Sequence, residues 1–352
     1  IGGEPGDEPW NVNAIFVKLH RNRKSLCLDL KQARARDLFL ELVAVADVVI
    51  ENFSARAMPA MGLGYEVLKS INSRIIYVSM PGYGMSGPYR DRVAFGPTVE
   101  PLSGLTNMLG YSPDEPRNSA MALMDPIGAT HAAAAVTEAL VQRDRTGQGD
   151  LIEMSLHEGG VTYSGPWLVD EQLGNAPQCI GNRHPGMAPH GIYRSKGNDK
   201  WISIACKNDT QWQQLCEIIG NGLDPKMDLA SRISDQDSID ESLANWSGQY
   251  TNTEATEYLQ SKGIASGPVN TTPDITSDSQ VNARGFFVPF EKFNTPMPGN
   301  SIQMNGIHRD EWVPCPGLGE NNHEVLGSWL GYDTESITDL ENDNIIFNAP
   351  PT

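Results

Sequence analysis

The sequence predicts an α/β protein with a Rossmann-like parallel sheet in a large domain and a smaller α+β domain beside it. Three observations predict this. Short, β-branched apolar runs alternate with segments of helical periodicity from Ser25 to Glu153, the pattern of a parallel sheet covered by helices. The composition then turns to Asn, Pro, Gly and His between Gly174 and His190, which marks a boundary. Beyond it, a hairpin pattern opens a different kind of unit. At 352 residues the chain is too long for one ordinary core.

The elements follow in order. "SLCLDL" (25–30) is expected to be a strand. "QARARDLFLELVAVA" is a helix with Leu38, Leu42 and Val45 on one face. "DVVIENF" is a short buried strand, "GYEVLKSIN" a helix, and "RIIYVSMPGYG" a second buried strand that ends in a glycine-rich loop. In such sheets ligands sit at the carboxyl ends of strands. The loops at Glu51–Ser54 and Met80–Pro88, and the segment before Asp125, are therefore the ones to watch. A long helix is expected from about Ile127 to Arg145, with Gly147 as its C-cap. "DLIEMSLHEGG" is a strand leading into a short helix. In the second domain, "GIYRSKGNDKWISIAC" is a hairpin turning at "GND", Asp209 caps a helix, "TNTEATEYLQSKG" is another helix, and "IASGPVN" is an edge segment. The tail is loop-rich until a terminal helix in "NNHEVLGSWLG". The domains are expected at 1–180 and 191–290, with 291–352 returning to the first.

The net charge is −18, which argues against nucleic acid or an anionic membrane as a general partner. The longest apolar runs are far short of a membrane span. Five scattered cysteines without CxxC spacing speak against a disulfide framework or a zinc site and fit a reducing cytoplasm. No metal is expected.

The stretch "ALMDPIGATHAAAA" (122–135) holds the central question. Asp is a favoured N-cap and Pro a favoured first helical residue, so "DP" before small residues has the form of a cap. The same geometry suits chemistry. A carboxylate at a helix N-terminus stays ionised, and an ionised carboxylate can attack an activated acyl group. Spacing alone leaves both open.

The sequence resembles the class III CoA-transferases, the family of formyl-CoA transferase and carnitine CoA-transferase. The resemblance runs through "HRNRKSLCLDLK", the block from "ADVVIENFSARAMPAMGLGYEVL" to "MPGYGMSGPY", "LSGLTNMLG", "DPIGATHAAAAVTEALVQRDRTGQGDLIEMSL", "ARGFF" and "GLGENNHEVLGSWLG". It implies that Asp125 is the nucleophile, that an acyl-CoA and a small carboxylate are the substrates, that no cofactor is tightly bound, and that the chain forms an interlocked dimer. It implies CoA contacts from Leu28 to Lys31 and Asn52, Phe53 and Ser54. In the basic run "KLHRNRK", Arg21, Arg23 and Lys24 are candidates for the CoA phosphates, as is Arg92. Pro126 has no N–H, so oxyanion donors are expected from elsewhere, such as the Gly82–Gly84 loop or a glycine of the second domain.

The sequence also departs from the family. Ala60 stands where Arg or Lys is frequent. Phe95 and Gly96 stand where related racemases carry a His-Asp pair, and neither can move a proton, which disfavours an α-methylacyl-CoA racemase-like activity. "KNDTQW" (207–212) replaces a recognisable glycine-rich loop. The family's opening strand-helix-strand unit is not found ahead of "IGGEPGD", which leads us to expect a truncated module or one half of a tandem pseudo-dimer. A tandem dimethylsulfoniopropionate CoA-transferase/lyase is one alternative, with Trp10, Tyr163 and Trp167 as candidates for an onium cage. A non-catalytic scaffold module is another. His184 and His190, in "NRHPGMAPHGIYR", are candidates for the acceptor carboxylate, and Phe95 and Gly96 are further candidate substrate contacts.

Overall fold

The computed structural model describes residues 8–175, 179–220, 222–290, 296–306 and 311–350; the opening "IGGEPGD" lies outside them. The chain divides into two compact units. The first comprises Ile1–Leu105, Ser119–Pro166 and Ser279–Thr352, and the second Thr106–Asn118 and Trp167–Asp278.

The first unit is built on a parallel sheet of β1 (Val48–Glu51), β2 (Ile76–Ser79) and β3 (Leu151–Glu153), in that order. The register pairs Val48 with Ile76 and Tyr77 with Leu151. β2 is central and buried along its whole length. β1 is an edge strand, and Ile50 is 58% exposed. That corrects the expectation of a buried strand there: Val48 and Val49 pack on opposite faces, but at this edge position Ile50 is left uncovered.

The helix Ala33–Val45 buries Ala35, Leu38 and Val43. Val45 is exposed instead, because the helix stops there and its buried face passes through Val43. "SLCLDL" is not a strand. Its backbone turns to the C-terminal segment: Ser25 and Cys27 N–H donate to the side-chain amides of Asn321 and Asn322 at 2.9 Å, and Leu28 makes a single bridge with Ile346. Side-chain acceptors there take the place of a neighbouring strand. The tail carries a second helix, Thr334–Asn342, after Asn322–Leu330, and a small hairpin of β7 (Phe287–Val288) and β8 (Met297–Pro298). Neither was expected, because both are short and lack strong periodicity.

The long helix spans Met124–Thr146 and ends at Gly147, left-handed at φ 73°. At 23 residues it is about 34 Å long. Its C-terminal end feeds β3, so it runs back across the sheet from the carboxyl ends of the strands toward their amino ends. Arg143 is buried and anchors it, with Nη2 2.9 Å from the Asp47 carboxylate just ahead of β1. The small residues serve close packing. A Cβ on Gly128 would come within 2.4 Å of Leu156 Cδ2, and one on Gly160 within 2.6 Å of Met124 Sδ. The helix Leu156–Tyr163 therefore lies tight against the long helix.

Gly149, between that helix and β3, donates to Ser73 O at 2.9 Å, and a Cβ there would sit 1.9 Å from Ile75 O. Backbone cannot yield as a side-chain tip can. Gly149→Ala should destabilise the protein by about 2–3 kcal/mol, read as a lower urea midpoint with an unchanged m-value.

The second unit has an antiparallel sheet of β4 (His190–Arg194), β5 (Trp201–Ala205) and β6 (Ala265–Pro268), in that order. Asp199 at φ 51° and Gly197 at φ 119° make the β4–β5 turn. Trp212, Leu215, Ile239, Leu243 and Leu259 cover one sheet face with Ile202 and Ile204. The helix Asp209–Ile219 is capped by Asn208, whose Oδ1 accepts from Gln211 N–H at 3.0 Å. Asp209 is its first residue and pairs with buried Arg232 at 2.8 Å instead of capping. The helix Asn252–Ser261 opens with a Thr251–Glu254 capping box.

Candidate active site

Two short segments at the carboxyl end of the parallel sheet are each shaped by a carboxylate, and Asp125 stands at the start of the long helix. Glu51, the last residue of β1, is buried; its Oε2 accepts from Phe53 N–H at 2.8 Å and its Oε1 from the Tyr77 hydroxyl at 3.1 Å. It therefore sets the turn of the Asn52–Ser54 loop. Burial, then the Glu51 charge, pushes the Tyr77 hydroxyl up, which keeps it a donor. Glu153, the last residue of β3, accepts from Met85 N–H at 2.5 Å and packs against left-handed Gly84 (φ 85°), fixing the loop after β2. Tyr83 in that loop meets the rings of Tyr89 and His157 edge-on, at 5.9 and 6.0 Å between centroids.

Asp125 is the second residue of the Met124–Thr146 helix, not its cap. The N-cap position is Leu123, which offers no side-chain acceptor. The cap reading fails because the helix begins ahead of Asp125, leaving its carboxylate beside the first turn. The carboxylate lies against Gly96, which opens the short helix Gly96–Val99. A Cβ on Gly96 would be 2.8 Å from both carboxylate oxygens and 3.0 Å from Cγ. Burial raises the Asp125 pKa above the ordinary 3.8. Desolvation is the cause: burial disfavours the charged form of a carboxylate.

The sequence singles out Gly96, with Phe95, as a candidate substrate contact where a proton-moving residue is missing. Its structural meaning is close approach. Phe95, next to Gly96 in the chain, is 70% exposed.

A model of CoA-transferase family III matches residues 4–322. The chain belongs to CoA-transferase family III. It is 28% identical over 340 residues to the succinyl-CoA–D-citramalate CoA-transferase of Chloroflexus aurantiacus, covering 93% of this chain and 83% of that protein. It is 31% identical over 298 residues to the acetyl-CoA:oxalate CoA-transferase of Acetobacter aceti, covering 83% and 75%. Among solved structures, a CAIB/BAIF family protein from Brucella suis superposes with a TM-score of 0.82 at 28% identity, over 90% of this chain and 84% of that one.

The residues that the family resemblance associates with CoA are distributed as follows. Arg21 hydrogen-bonds Pro298 O and stacks on Trp312 at 4.6 Å. Lys24 pairs with Glu324, and Arg23 Nη1 lies 3.0 Å from His20 Nδ1. Burial, then Arg23, lowers the His20 pKa. The basic run is thus tied partly to the C-terminal segment. Leu28 is half-buried and packs on the core of the C-terminal helices, while Lys31 is exposed. Asn52, Phe53 and Ser54 are exposed on their loop. Arg92 stacks on Tyr89 at 3.7 Å.

His184 and His190 lie in the second unit, with ring centroids 5.4 Å apart. His190 Nδ1 is 2.6 Å from Asn182 O, and His184 Nδ1 accepts from Gly186 N–H at 3.0 Å. The residues suggested for an onium cage are divided between the units. Trp10 and Tyr163 belong to the first unit and Trp167 to the second; among the described residues no ring contact pairs Trp10 with Tyr163. Sequence reasoning missed the shaping roles of Glu51 and Glu153. The available signal was an acid closing each strand pattern.

Proposed function

We propose that this family III enzyme moves CoA between an acyl-CoA and a free carboxylate through covalent intermediates on Asp125. The observation that carries the proposal is the Asp125 carboxylate held against Gly96, where no side chain fits. An oxygen of Asp125 attacks the thioester carbonyl; the C–S bond breaks, and CoA thiolate leaves a mixed anhydride. The thiolate attacks the aspartyl carbonyl, releasing the first acid and leaving an aspartyl-CoA thioester. The acceptor carboxylate displaces CoA to form a second anhydride. CoA thiolate then attacks the acceptor's acyl carbon and frees Asp125. No proton or electron is consumed, and each step is a simple acyl transfer. Partial desolvation suits the attack, since a less hydrated carboxylate is the stronger nucleophile.

The relatives' names point to succinyl-CoA or acetyl-CoA as donor and a small dicarboxylate as acceptor. Arg23, Lys31, Arg92 and the Asn52–Ser54 loop are the groups we assign to CoA, with Glu51 holding that loop in shape. The family resemblance favours a homodimer as the working assembly. Incubating the protein with succinyl-CoA or acetyl-CoA and a panel of mono- and dicarboxylates, with product CoA esters followed by chromatography, tests the function. Transfer to at least one dicarboxylate is expected; transfer to none of them from either donor would refute it.

A pH prediction follows from the Asp125 environment. Only the ionised carboxylate attacks, and burial raises its pKa. The acid limb of the single-turnover rate should therefore lie above the pH at which an ordinary aspartate titrates. A limb at or below that range would contradict the desolvation account.

A further inference from the structure

We infer that Glu100 is a positioning residue for Asp125, acting through Ser119. The inference rests on the aspartyl reading above. Glu100 is fully buried at 0% exposure, although it is a carboxylate. Both of its oxygens are directed at one residue: Oε1 accepts from Ser119 N–H at 2.8 Å, and Oε2 from the Ser119 hydroxyl at 2.6 Å. The same hydroxyl lies 3.0 Å from Met121 O. A buried carboxylate is costly to maintain unless it does something a neutral residue could not.

Placement supplies the reason. The chain leaves the first unit after Leu105 and returns at Ser119. Six residues after that return comes Asp125. The intervening turn is tight and strained: Ala120 is left-handed at φ 58°, Leu123 N–H donates to Met121 O at 2.8 Å, and Asp125 N–H to Ala122 O at 3.1 Å. Backbone in that region persists in a non-glycine residue only when its surroundings enforce it. Glu100 is the enforcing group.

Glu100 also follows Gly96 by one helical turn, with its N–H donating to Gly96 O at 3.1 Å. One short segment therefore touches the nucleophile's strand of chain twice. Gly96 meets the Asp125 carboxylate, and Glu100 meets the start of the turn that delivers it. Two fixed points on one rigid element set both the position of the carboxylate and the path leading to it. Losing the Glu100 point frees the turn while leaving the groups that contact CoA in place.

The test compares Ser119→Ala, Ser119→Thr and Glu100→Gln with the wild type. The rate of adduct formation on Asp125 from succinyl-CoA and acetyl-CoA is read by quenched-flow mass spectrometry, with CoA affinity and thermal unfolding measured alongside. Ser119→Ala and Glu100→Gln should slow adduct formation by about 10-fold or more, as a small misplacement of a reacting group does. CoA affinity should stay within about two-fold, and Ser119→Thr, which keeps the hydroxyl, should restore the rate. If Glu100→Gln does not fold, the Ser119 pair decides. Folded variants that react at the wild-type rate, or a Ser119→Thr protein as slow as Ser119→Ala, would overturn the positioning role. Wild type that binds CoA but never forms the adduct would overturn the aspartyl reading instead, and this role with it.

Discussion

Asp125→Asn should reduce CoA exchange by at least about 10³-fold, the scale at which loss of a nucleophile abolishes its covalent route. The amide is nearly isosteric but cannot form an anhydride. Stability gives an independent check. Burial raises the folded-state pKa of Asp125 above its unfolded value. The ionised form is therefore disfavoured in the folded protein, and this penalty is absent at pH below the unfolded pKa and fully present above the folded one. Near neutral pH the Asn variant, which carries no charge there, should melt at the same temperature as the wild type or higher. Loss of activity together with a lower melting temperature would point to a structural role for the carboxylate. Unchanged exchange would remove Asp125 from the chemistry.

Gly96→Ala should be nearly as damaging for a different reason. Gly96 is not left-handed, so its backbone accepts alanine. The new methyl would stand 2.8 Å from both Asp125 oxygens, closer than real contacts allow. The carboxylate must then move aside. A displacement on the order of 1 Å at a reacting group costs about 10²-fold in rate. The loss should appear in kcat, with KM for the acyl-CoA little changed, because the CoA-side loops and basic residues are untouched. A Gly96→Ala enzyme with normal kcat would show that the contact does not position the nucleophile.

These effects show which parts of the molecule could be read from sequence. The alternation of "DVVIENF", "GYEVLKSIN" and "RIIYVSMPGYG" gave β1, the helix Tyr65–Ile71 and β2, because short apolar runs and helical spacing act locally. The long helix and its Gly147 stop were legible for the same reason. "SLCLDL" was not, because its backbone partners are Asn321 and Asn322, some 295 residues away, and no local pattern announces them. Asp125 was legible as a candidate through motif context, but its environment was not. The desolvation and the contact with Gly96 come from a segment about 30 residues earlier in the chain, joined only by packing. Glu51, Glu100 and Glu153 have the same character. Each is an ordinary acid in the sequence, and only the fold gives each one particular N–H or O–H groups to hold.

The most direct test of the central claim is the mass of the peptide containing Asp125 after brief incubation of the protein with succinyl-CoA or acetyl-CoA, with and without hydroxylamine. The account predicts an acyl or CoA adduct on Asp125 that hydroxylamine converts to a stable hydroxamate. An unmodified Asp125 with both donors, in protein that binds CoA and exchanges it, would contradict the aspartyl mechanism.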